Sequence, residues 1–157
     1  MKLSRTFAVN RTAANASSAA RAYLQGIGYR PRAGAINLFE RGSLLGSWTS
    51  FSPRKWRARI ALHVESADPE RAAVRLDVDV NTTGQMVTPQ EREYWDFELD
   101  GLQSSVASGE LRTAEIAGVA EEIASAGKRI VSNQIVHGIA GAVATAIVAI
   151  IVAKCDS

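Results

Sequence analysis

A chain of 157 residues holds about one domain's worth of core, so two independent domains with linkers are excluded. Apolar residues at 46% against 22% charged, with four prolines, separate it from disordered chains, and 18 basic and 16 acidic residues in mixed order give no field for nucleic acid, which is not an expected partner. The single cysteine, Cys155, excludes an intrachain disulfide and a cysteine-based metal cluster.

Residues 3–9 read as a short strand, and residues 11–26 as a helix that Asn10 caps. Along one side of that helix run Ala13, Ala16, Ala20, Tyr23, Leu24 and Ile27, the alanines permitting close approach to a sheet. Residues 35–40 and 44–51 read as the two strands of a hairpin turned at Arg41, Gly42 and Ser43. In the next pair the alternation is strict. Trp56, Ala58, Ile60, Leu62 and Val64 alternate with Arg57, Arg59, Ala61, His63 and Glu65, and Val74, Leu76, Val78 and Val80 alternate with Arg75, Asp77 and Asp79. A turn centred on Asp68 and Pro69 sets Arg59 opposite Asp77, Arg57 opposite Asp79 and Ile60 opposite Leu76, giving one apolar and one charged face.

Thr88, Pro89 and Glu91 form a helix start: a capping hydroxyl, a proline where no N–H is needed, and a carboxylate that returns the bond to the cap. Trp95, Leu99, Leu102 and Val106, spaced four, three, four, lay an apolar stripe along this helix, with Tyr94 and Phe97 beside it. A second amphipathic helix over 113–130 carries Ile116, Val119 or Ala120, and Ile123 on one stripe. Residues 135–153, IVHGIAGAVATAIVAIIVA, are uncharged with His137 neutral and about 28 Å long as helix, which predicts a membrane span. Lys128 and Arg129 before it place the preceding domain in the cytoplasm. Gly138, Gly141, Thr145, Ala149 and Ala153 supply small-residue ridges for contact with another helix.

The expected fold is therefore α+β: an antiparallel sheet of about five strands, in the order strand, helix, four strands, helix, with helices on one face and a C-terminal transmembrane helix. The divisions are a cytoplasmic domain over 1–108, a juxtamembrane helix over 109–130, the span over 131–154 and a short tail over 155–157.

Chemistry finds little to work with. The two histidines stand apart, His63 on a charged strand face and His137 at the start of the span, where it reads as an interfacial side chain. Asp77, Asp79, Glu91, Glu93, Asp96, Glu98 and Asp100 fall on faces expected to be solvated, no phosphate-binding glycine motif occurs, and Ser104, Ser105 and Ser108 have no neighbouring base. Trp48, Arg54, Lys55, Trp56 and Arg57 form a basic, aromatic stretch suited to a lipid or partner surface. The expected function is a non-enzymatic, membrane-anchored accessory or assembly subunit without cofactor or metal, docking on the cytoplasmic face of a larger membrane complex. Its partners would be a subunit of that complex or a second copy, met through the span, and the lipid bilayer. The alternative is a binder of lipid or another apolar ligand in a cavity between sheet and long helix, lined by Ile60, Trp95, Leu99 and Leu102.

Overall fold

Five antiparallel strands in the spatial order β1-β5-β4-β3-β2 form the frame, in a computed structural model that describes residues 1–50, 52–83, 87–110, 116–126 and 128. Along the chain run β1 (Lys2–Val9), α1 (Ala13–Gly26), β2 (Arg30–Arg32), β3 (Ala35–Arg41), α2 (Leu44–Thr49), a 3-10 turn (Pro53–Lys55), β4 (Ala58–Asp68), β5 (Arg71–Val80) and α3 (Pro89–Ser108). Residues 116–126 are again helical. One compact unit comprises Met1–Ala124; of the second, Ser125–Ser157, only residues 125, 126 and 128 are described.

The alternation in β4 and β5 sets the layers. Ala58, Ile60 and Leu62 with Ala72, Val74, Leu76, Val78 and Val80 are buried beneath α1 and α3, which cover one face of the sheet. The other face carries Lys2, Ser4 and Thr6 of β1, Arg75, Asp77 and Asp79 of β5 and Arg59, His63 and Glu65 of β4, all exposed or half-buried. The stripe Trp95, Leu99, Leu102 and Val106 is buried as its spacing requires, and Ile60, Trp95, Leu99 and Leu102 belong to one packed cluster. The space in which an apolar ligand was expected is thus occupied by side chains. Ile116 and Ala120 join the same cluster, with Val119 and Ile123 packed on it, so the stripe of this last helix faces its own domain.

Four local expectations are corrected. Residues 44–49 are helix, not strand: Gly42 turns the chain at φ +71°, the Ser43 hydroxyl accepts from the Gly46 N–H at 2.9 Å, and β3 pairs with β4 instead. The fifth strand is β2, three exposed residues with Pro31 at their centre, too short to show a period. The β4–β5 register is offset by two, with Arg59 opposite Asp79 and Leu62 opposite Leu76, because Asp68 pairs with Arg71 across a two-residue turn and the ladder then shifts between Ser66 and Asp68. At α1 the capping hydroxyl is Thr12, which accepts from the Asn15 N–H at 3.3 Å, in place of Asn10.

The membrane-spanning helix is also corrected. Among the described residues no helix is long and apolar enough to cross a membrane. The longest, α3, is twenty residues with Glu91, Arg92, Glu93, Asp96, Glu98 and Asp100 along it, a composition that hydrocarbon rejects. The predicted span over 131–154, with Gly138, Gly141, Thr145, Ala149 and Ala153, lies outside the described residues. With it go the single-pass topology, the cytoplasmic orientation, the bilayer as partner and the membrane-anchored accessory role.

Candidate functional site

The connection from β3 to β4 is built inside out. In an ordinary surface helix the large apolar residues face the core, but α2 turns Gly46 and Ser47 inward and sends Leu44, Leu45 and Trp48 outward, 49%, 72% and 67% exposed. Its inner side is seated on backbone. A Cβ at Gly46 would run into the Lys55 carbonyl oxygen, and one at Gly42 into the carbonyl of Trp56, so both positions need glycine for close approach. Ser47, fully buried, accepts from the Arg57 N–H at 2.8 Å and donates to the Ser43 carbonyl at 3.1 Å, and Ser43 N–H donates to the Lys55 carbonyl at 3.2 Å. Trp56 completes the seat from below: it is buried, and its indole N–H donates to the Ser50 carbonyl at 2.8 Å.

Of the residues expected to form a basic, aromatic surface, the structure therefore leaves Trp48 and Lys55 exposed, holds Arg54 and Arg57 half-buried beside them, and takes Trp56 into the core. Arg54 donates to the Ile27 carbonyl at 3.4 Å. Between Glu40 and Glu65 the sequence has no acidic residue. Arg59 is neutralised by Glu40 at 2.8 Å and Arg41 by Glu98 at 2.9 Å, whereas among the described residues no carboxylate pairs with Arg54, Lys55 or Arg57. The apolar platform thus lies in a positively charged segment.

Beneath it, where β3 ends, lies a buried polar cluster that sequence reasoning missed. Arg41 and Glu98 form an ion pair with side chains only 5% and 2% exposed. Tyr29 donates to Glu98 Oε1 at 2.9 Å, Tyr94 to Oε2 at 2.6 Å, and Tyr23 to the Glu98 carbonyl at 2.8 Å. The chain has three tyrosines, and all converge on this one residue. Arg41 also donates to the Ile27 carbonyl at 3.2 Å and lies 4.4 Å from the centre of the Tyr29 ring. Burial, then the negative charge of Glu98, holds the three phenol groups well above their ordinary range. For Arg41 burial works against the charge, but Glu98, Tyr29 and Tyr94 outweigh it, and the guanidinium is held above its usual value. Both Glu98 oxygens already have partners, so the cluster has no open carboxylate to offer a substrate. Only the spacing of Tyr94 and Glu98, four residues apart on one helix, hinted at any part of it.

The other candidates are dispersed. Glu91 is buried in the capping box, accepting from Thr88 N–H at 2.8 Å. Asp96 and Asp100 meet Arg5 at the surface. His63 is 3.6 Å from Asp77, which Arg75, then Ser4, hold below the usual carboxylate range. Among the described residues no three of His, Cys, Asp and Glu are placed to share a metal ion. His137 lies outside the described residues.

No family model matches the chain, nor does any curated protein or solved structure. The surface itself carries the functional argument.

Proposed function

We propose that this chain is a non-enzymatic protein-binding domain, and that α2 is its docking element. The observation that carries the reading is the inverted amphipathicity of α2: three large apolar side chains held in solvent by a helix whose inner side is glycine, serine and backbone hydrogen bonds. An arrangement that exposes Leu44, Leu45 and Trp48 on a rigid seat contributes nothing to folding, and it matches the aromatic and aliphatic anchors of protein interfaces. Arg54, Lys55 and Arg57 beside it select the partner's chemistry, an apolar pocket or helix bordered by carboxylates. The sealed state of Glu98 supports a structural rather than a catalytic use for the buried carboxylate.

A displayed random-peptide library panned against the full chain tests this. Enrichment of peptides combining apolar anchors with Asp or Glu, lost on a Leu45→Asp/Trp48→Asp variant and weakened by Arg54→Glu/Lys55→Glu, is the expected result. Enrichment that survives both variants, or no enrichment at all, would overturn the proposal. So would α2-dependent binding to vesicles of anionic lipid with no peptide selected.

A further inference from the structure

The two edges of the sheet are finished differently. β2 is three residues long, contains Pro31 and shifts register between Pro31 and Arg32, all devices that blunt an edge. β1 has none of them: eight residues without proline pair with β5 in an unbroken register from Lys2 opposite Asp79 to Val9 opposite Ala72. Among the described residues no strand lies on its other side.

The ladder fixes which backbone groups are free. Met1 and Val80 exchange both hydrogen bonds, at 2.7 and 2.8 Å, so this is a hydrogen-bonded pair. Such pairs alternate along an antiparallel ladder, and Leu3, Arg5, Phe7 and Val9 therefore also bond to β5. The N–H and C=O groups of Lys2, Ser4, Thr6 and Ala8 point away from the sheet, and all four residues are exposed.

We infer that β1 pairs antiparallel with β1 of a second copy of this chain, about a two-fold axis at Thr6. The sequence of the strand selects both occupant and register. Only registers that set even-numbered residues opposite one another join the free groups. Centring on Arg5 would oppose two like charges, and centring on Ser4 or Phe7 shortens the overlap. Centring on Thr6 sets Thr6 against Thr6 and Ser4 against Ala8 on the uncovered face, and Leu3 against Val9 and Arg5 against Phe7 on the helix side. Each of these is a compatible cross-strand pair, and the result is a continuous ten-stranded sheet with β2 at both ends. This surface is separate from α2.

Because the Thr6 N–H points outward, Thr6→Pro, present in both copies, removes both Thr6–Thr6 hydrogen bonds of the dimer and none of the β1–β5 ladder. Sedimentation equilibrium of the full chain should show a dimer, and Thr6→Pro should be a monomer with a circular dichroism spectrum like that of the parent. A monomer at every concentration, or a dimer that Thr6→Pro leaves intact, would overturn the inference. A second readout does not depend on tolerance of proline. In a Cys155→Ser background, Thr6→Cys should cross-link to itself on oxidation, since opposed residues of a hydrogen-bonded pair lie about 5.5 Å apart, within disulfide reach. Ser4→Cys should not self-link, but should link to Ala8→Cys when the two proteins are mixed. Self-linking by Ser4→Cys with none by Thr6→Cys would refute the register.

Discussion

Glu98 accepts hydrogen bonds from Tyr29 and Tyr94 and is ion-paired with Arg41, all of them buried, so each partner depends on the others. Removing one charge leaves the other buried and unpaired. Arg41→Met or Glu98→Leu alone should lower stability by about 3–5 kcal/mol in urea unfolding. The double variant should recover much of that, because apolar replacement of a buried pair is often close to neutral, and Arg41 Nε and the Trp95 indole N–H already lack acceptors among the described residues. A double variant as unstable as the worse single one would mean that the stranded tyrosine hydroxyls, not the charges, dominate. Alkaline titration reads the same cluster independently. All three phenols are raised in the folded state, so they contribute stability that is fully present below the unfolded value near pH 10 and is lost as pH climbs toward their folded values. With three protons released on unfolding, the slope above pH 10 is about 4 kcal/mol per pH unit. Tyrosinate absorbance should therefore be absent from the native protein at pH 10 and appear in one step with unfolding; gradual ionisation without loss of structure would contradict the burial.

Elements differ in how local their causes are, and that decides what the sequence reveals. The start of α3 is written in four consecutive residues: Thr88 accepts from Glu91 N–H at 3.2 Å while Glu91 accepts from Thr88 N–H. Thr88→Ala should cost about 0.5–2 kcal/mol, measured as a shift in the unfolding midpoint with unchanged slope. The alternation of β4 and β5 is likewise local, and it identifies the core face though not the register, which the irregularity near Asp68 sets. By contrast α2 is determined by what lies nine or ten residues on, the Lys55 carbonyl over Gly46 and the Arg57 N–H at Ser47, and no period in Leu44 to Thr49 announces it. Gly46→Ala should unseat α2 and cost about 1–3 kcal/mol, an overpacking penalty visible as increased proteolysis between Ser43 and Lys55. The polar cluster is the least legible of all. Tyr29 and Glu98 are separated by 69 positions, and a glutamate among six other acidic residues gives no sign that it is the one buried against an arginine. The basic residues of the α2 segment, Lys55 exposed and Arg54 and Arg57 half-buried, stand together in the sequence itself, whereas the burial of Trp56 depends on the helix placed above it.

At the scale of the compact unit, the helical residues 116–124 close the layer formed by α1 and α3: Ile116 and Ala120 are buried, and Ile116 lies close enough to Gly101 that a Cβ there would press on it and on the Tyr23 hydroxyl. A chain ending at Gly109 should fold but lose about 2–4 kcal/mol, the burial of Ile116 and its neighbours, with the tyrosine titration beginning at lower pH as Tyr23 is uncovered. The spatial order of the strands has a further consequence, in time rather than energy. β1 precedes the other four strands along the chain, yet among the described residues its strand neighbour is β5, and the paired residues are 63 to 77 positions apart, from Val9 with Ala72 to Lys2 with Asp79. At synthesis rates of about 5–20 residues per second, β1 waits several seconds for its partner to emerge. The β3–β4–β5 meander, whose strands are neighbours in sequence, can form meanwhile, and the slow closure of the long loop to β1 comes last. Substitutions in the β4–β5 hairpin, such as Val74→Ala, should therefore slow refolding, whereas Phe7→Leu in β1 should chiefly speed unfolding. Until that closure both edges of β1 are unpaired, so of these five strands the one that emerges earliest is the last to be protected.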